Sequence, residues 1–106
     1  MLVVWEPILS SDWREPDRNT LARVSDRRVR QFWDPQHLIA QELARIAKQN
    51  SQTLEPDCCV EKGFHWDEAL VYAPHTHWTD GSAPVFWNGP VYRIAPALEA
   101  AWKAQQ

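Results

Sequence analysis

Val29-Arg30-Gln31-Phe32-Trp33-Asp34-Pro35 joins an aromatic pair to a helix-start signal, and the reading of the chain divides there. Asp34-Pro35 sets a capping carboxylate before a proline, whose fixed φ and missing N–H suit the first turn of a helix. Beyond it, Leu38, Ile39, Leu43, Ile46 and Ala47 recur on one face at helical spacing. Arg45 and Lys48 fall in the last turn, where the helix dipole favours cations. This predicts the main helix. Upstream, Leu21, Val24, Val29, Phe32 and Trp33 also follow helical spacing, with Ser25-Asp26 as a cap for a second helical piece.

Working outward, Leu2-Val3-Val4-Trp5 is a short apolar run ended by Pro7, the pattern of a strand buried on both faces. Ser10 to Asn19 reads as loop, and Ser51 to Gly63 as a polar connection. Ala69–Ala73 reads as a strand stopped by Pro74, and Val85–Trp87 and Val91–Ile94 as two further short strands. Asn88-Gly89 between them would ordinarily signal a hairpin, but Pro90 has no N–H to close the turn. Pro96 opens a last helix with Leu98, Ala101 and Trp102 on its face. The order strand, helices, strand, strand, helix predicts an α/β fold with a small mixed sheet, a crossover setting the first two strands parallel.

At 106 residues the chain is expected to be a single domain, 1–106. Seven tryptophans (Trp5, Trp13, Trp33, Trp66, Trp78, Trp87 and Trp102) favour an aromatic-rich core, the alternative being a core plus an interface. The net charge of −3 gives no sign of a nucleic-acid partner. Six arginines against three acids between Arg14 and Arg30 read as a solvated face laced with ion pairs. No apolar run reaches membrane-spanning length, no signal peptide is recognisable, and two adjacent cysteines cannot build a disulfide framework, so the expectation is cytoplasmic.

Several phrases resemble an uncharacterised bacterial thioredoxin-like family: Val4-Trp5-Glu6-Pro7 with Asp12-Trp13, Ser25-Asp26-Arg27-Arg28-Val29, Gln31-Phe32-Trp33-Asp34, Trp66-Asp67 before Val71-Tyr72, and Gly89-Pro90-Val91. The resemblance implies the later part of a thioredoxin-like fold, incomplete at the N-terminus, without the first strand and the Cys-x-x-Cys helix. A helix N-terminus of that kind lowers the pKa of an attacking thiol, so a chain lacking it is expected to be a binding or assembly module rather than a dithiol oxidoreductase. Without that first strand, Leu2–Trp5 would leave an apolar sheet edge open. The expected partner is a second copy of the chain, through that strand or a tryptophan-rich surface. Alternatively, the chain is a fragment of a longer oxidoreductase.

The residues that could carry chemistry are few. Adjacent cysteines seldom bond to each other, but Cys58-Cys59 can hold a soft metal or act as a reversible redox pair. His75-x-His77 has a spacing seen in metal sites, and together Cys58, Cys59, His75 and His77 make four ligands suited to zinc. This is the alternative function: a metal-binding or redox-responsive protein. Otherwise no cofactor is expected. His65, Asp67 and Asp80 lie close to the histidine pair in sequence, Asp67-Glu68 is too ordinary a pair to assign acid–base roles, and His37 reads as a packing or surface residue. No catalytic residue is assigned. No glycine-rich phosphate loop or nucleophile elbow occurs.

Overall fold

Leu2–Trp5 forms strand β1, and its parallel partner is Arg30–Trp33, strand β2, in the register Leu2↔Arg30 to Trp5↔Trp33. The computed structural model describes residues 1–8, 14–50, 55–56 and 58–106, so Trp13 and the 10–13 part of the expected loop lie outside the described residues. The helix read over Leu21–Trp33 is therefore corrected. A single turn, α1 (Arg18–Leu21), is capped by the Asp17 carboxylate on the Thr20 amide at 2.8 Å, and the segment after it extends. Two forces oppose helix there. The exposed backbone of β1 demands partners, and the Val29–Trp33 stretch alternates in burial with the period of a strand. Gln31 fastens the crossover: its Oε1 accepts from Trp5 Nε1 at 2.8 Å, and its Nε2 donates to the Leu21 carbonyl at 2.9 Å.

Helix α2 (Leu38–Gln49) is the expected main helix, begun later than Asp34-Pro35 suggested. Asp34 still caps it. Its buried carboxylate accepts the Leu38 and Ile39 amides at 3.0 and 2.9 Å, reaching across a turn that ends with His37 at φ 57°. Asp34→Ala is expected to cost about 1–2 kcal/mol, since two helix-end amides lose their acceptor. Urea unfolding followed by helical circular dichroism measures this, and an unchanged midpoint would show that the cap contributes nothing.

After α2, strands β3 (Val60–Glu61) and β4 (Phe64–His65) form an antiparallel hairpin that begins in the stretch read as a connection and ends just past it. Its two-residue turn, Lys62-Gly63, has φ of 53° and 86°, both positive as a primed hairpin turn requires. Strands β5 (Ala69–Val71) and β6 (Phe86–Asn88) pair antiparallel, Leu70 opposite Trp87, within or beside the two expected runs. The expected parallel pairing of Leu2–Trp5 with Ala69–Ala73 does not occur, because β2 takes that place. Among the described residues the strands make three separate two-stranded sheets. A 3-10 turn spans Trp78–Asp80.

Val91–Ile94 is helix, not strand. Helix α3 runs Val91–Lys103 directly after the cis Gly89–Pro90 peptide, and Pro96 lies inside it instead of opening it. The helix starts early because Pro90 presets the backbone and the Asp67 carbonyl takes the first amide, Val91 N–H, at 3.0 Å.

Helix α2 packs against β4, and α3 against β5 and β6. The core is largely aliphatic: Ile8, Ala40, Leu43, Ile46, Val71 and Ile94, with Trp87. The aromatic core suggested by seven tryptophans is thus corrected. Trp66, Trp78 and Trp102 are exposed, and Trp5 and Trp33 half-buried. The arginines between positions 14 and 30 are exposed, as a solvated face requires, with Arg28 paired to Asp26 at 2.7 Å. The fold is mixed α/β, and no described helix is long and apolar enough to cross a membrane.

Candidate functional site

The Lys62-Gly63 turn returns the chain so that His65 points inward, and Asp67 at φ 54° turns it again, placing Glu68 beside His65. The His65 side chain, 5% exposed, has Nδ1 2.9 Å from Glu68 Oε1 and Nε2 2.8 Å from Glu55 Oε1. Glu68 is as deeply buried, and its second oxygen accepts from Trp87 Nε1 at 2.7 Å. The His65 ring lies tilted on Trp87, centroids 5.0 Å apart. Hydrogen bonds therefore link His65, Glu68 and Trp87, with the Glu55 carboxylate in close contact with the other ring nitrogen of His65. Burial pushes the Glu68 carboxyl above the ordinary carboxylate range, the hydrogen bonds from His65 and Trp87 pull against that, and nearby Glu55 adds to the rise.

A second buried pair lies nearby. Glu6, just after β1, meets His37 Nδ1 at 3.3 Å, and the His37 ring stacks on Phe64 of β4 at 4.0 Å. Burial raises the Glu6 carboxyl; the hydrogen bond and charge of His37 oppose this, and the charges of Asp34 and Glu68 reinforce it. The sign of the resulting pH dependence is definite. A carboxyl that holds its proton more tightly folded than unfolded favours the fold at low pH. That advantage is lost as pH rises from the unfolded value near 4.5 through the raised folded value. Glu6→Gln has no proton to lose, so its stability relative to the native chain should grow from acid to neutral pH. Chemical unfolding across that window measures the difference, and parallel profiles would refute the assignment to Glu6.

Cys58 and Cys59 are bonded to each other, with Cα atoms 3.7 Å apart, a bond that adjacent cysteines seldom form as a structural link. Both are half-buried. Cys59 has φ 70°, a left-handed conformation costly for a non-glycine residue, and its carbonyl receives the Trp66 amide at 2.9 Å. The pair packs against Gly89. A Cβ there would lie 2.8 Å from Cys59 Sγ, 2.8 Å from the Asp67 carbonyl and 3.2 Å from Glu68 Cγ. Glycine is needed because three groups converge on that point.

The sulfurs of Cys58 and Cys59 and a Glu68 carboxylate oxygen all lie within 4.8 Å of one another. His75 and His77 do not join them among the described residues, so the structure does not assemble the set Cys58, Cys59, His75 and His77. The chain leaves Glu68 along β5 before reaching those histidines, which are exposed. His75 sits at φ 64° in a turn, and the His77 amide donates to Asp80 Oδ2 at 3.3 Å. Sequence reasoning passed over Glu68, Glu55, Glu6 and Gly89. The one local signal was the spacing His65-x-x-Glu68.

No known protein family, curated protein or solved structure matches this chain.

Proposed function

We propose that the chain is a redox-responsive module of thioredoxin-like type, lacking dithiol oxidoreductase turnover, in which Cys58-Cys59 alternates between disulfide and dithiol. The observation that carries this reading is the Cys58–Cys59 bond, half-buried and packed on Gly89 beside Glu68. An external dithiol supplies the change: its two thiols become a disulfide, its two electrons cleave the Cys58–Cys59 bond, and its two protons leave both sulfurs as thiols. Opening the ring frees the backbone at Cys59, which holds the Trp66 amide just after β4, so the β3–β4 hairpin reports the redox state. Titration of the whole chain should find no free thiol before reduction, two after it, and none once an oxidised dithiol is supplied. Reduction should also shift the exposed Trp66 fluorescence. Two thiols that persist under oxidant would overturn the reading.

A second reading, assembly with another copy, is favoured by exposed apolar groups on the β1–β2 sheet: Met1 74%, Leu2 66% and Phe32 50% exposed. A cleft lined by Trp5, Leu21, Phe32 and Trp33, with Pro16, Glu15 and Gln31 at its wall, shares Phe32 with them. Sedimentation should give a dimer that Leu2→Lys converts to monomer. A native chain that sediments as monomer would refute it.

A further inference from the structure

We propose that the reduced chain binds one thiophilic divalent cation of the zinc class through Cys58 Sγ, Cys59 Sγ and a Glu68 carboxylate oxygen, so that the disulfide and the ion exclude each other. The inference rests on the redox reading and gives its site a ligand. Three donors from two segments already lie within 4.8 Å. A four-coordinate zinc ion with sulfurs at about 2.3 Å and an oxygen at about 2.0–2.2 Å holds its donors roughly 3.3–3.8 Å apart. Opening the sulfur–sulfur bond lets the two sulfurs separate toward that spacing.

Glu68 is prepared as a ligand in a way that an ordinary buried acid is not. Its oxygens are oriented by His65 and Trp87, and His65 is itself held by Glu55. Such outer hydrogen bonds are what orient and tune metal ligands. Gly89 keeps the approach between Cys59 and Glu68 free of a side chain. Two thiolates select a soft or borderline ion over magnesium or calcium, and the fourth position is left to water or an external donor. Binding balances as one ion taken up by two thiols and one carboxylate, with two thiol protons released to solvent. Oxidation must then expel the ion, because both sulfurs enter the bond.

The test uses the full chain, reduced with a phosphine that is afterwards removed; the phosphine takes oxygen from water as the disulfide becomes two thiols. Titration with cadmium, a spectroscopic stand-in for zinc, should show one ion per chain, a thiolate charge-transfer band and two protons released. The oxidised chain should show none of these. Glu68→Gln, which keeps an acceptor for Trp87, should weaken binding by about tenfold or more, and Cys58→Ser should abolish the band, circular dichroism confirming that both variants fold. A reduced chain with two free thiols and no stoichiometric ion overturns the proposal, as does Glu68→Gln binding as tightly as the native chain. Cysteines that bind the ion but never re-form the disulfide leave the site standing and overturn only the switch. A bond that resists reduction overturns both.

Discussion

Replacing His65 by leucine is expected to cost about 3–5 kcal/mol at neutral pH, among the largest effects of any single change in this chain. The reason is what the change leaves behind. The Glu68 side chain is 3% exposed, and His65 is the partner on its Oε1, with the Trp87 indole N–H on the other oxygen. Without the imidazole, a buried carboxyl oxygen loses its hydrogen-bond partner, and the Glu55 carboxylate loses its close contact as well. A double change separates this from simple loss of packing. In His65→Leu/Glu68→Gln the stranded acid is gone while Trp87 keeps an acceptor, so at least half of the lost stability should return. Urea unfolding of the disulfide-intact protein measures both variants. If the double variant is as unstable as the sum of its parts, His65 acts through packing alone.

Ile46→Ala should cost about 2–5 kcal/mol, a sizeable part of the total stability of an ordinary domain. Ile46 has no exposed surface, and Ala40 and Leu43 on the same helix are 3% and 5% exposed where α2 packs on β4. A truncated side chain there leaves a cavity. Leu38, which the spacing put on the same face, is 58% exposed, so Leu38→Ala should stay within about 0.5 kcal/mol. Equal losses at the two positions, seen as equal shifts in the urea midpoint, would contradict the burial pattern of α2.

The contrast between Leu38 and Ile46 illustrates how far local pattern reaches. Helical period identified α2 because its apolar face repeats over three turns, and a repeat that long has few other readings. The same period misled at Leu21–Trp33, where five apolar positions fit a helix but β1 needed a partner and Gln31 could bridge Trp5 to the Leu21 carbonyl. At Val91–Ile94 a short run with β-branched ends, read as strand, became the first turn of α3, because Asp67, distant in sequence, offers its carbonyl to Val91.

The candidate site shows the same division. Cys58-Cys59 was legible as a pair of neighbouring sulfurs because adjacency is itself a sequence property. Its neighbours were not. His75 and His77 have the better ligand spacing but lie beyond the end of β5, whereas Glu68 belonged to an ordinary Asp67-Glu68 pair until two positive-φ turns, at Lys62-Gly63 and Asp67, folded it inward.

By itself the sequence determined the α/β class, the main helix with its Asp34 cap, the strand runs near Ala69–Ala73 and Val85–Trp87, and the adjacency of the two cysteines. Each follows from residues within a few positions of one another. Only the tertiary structure decided that Leu2–Trp5 pairs with Arg30–Trp33, that His65 is held between Glu55 and Glu68, and that Gly89 lets Cys59 and Glu68 approach. Burial and close approach depend on segments far apart in the chain, and no local period encodes them.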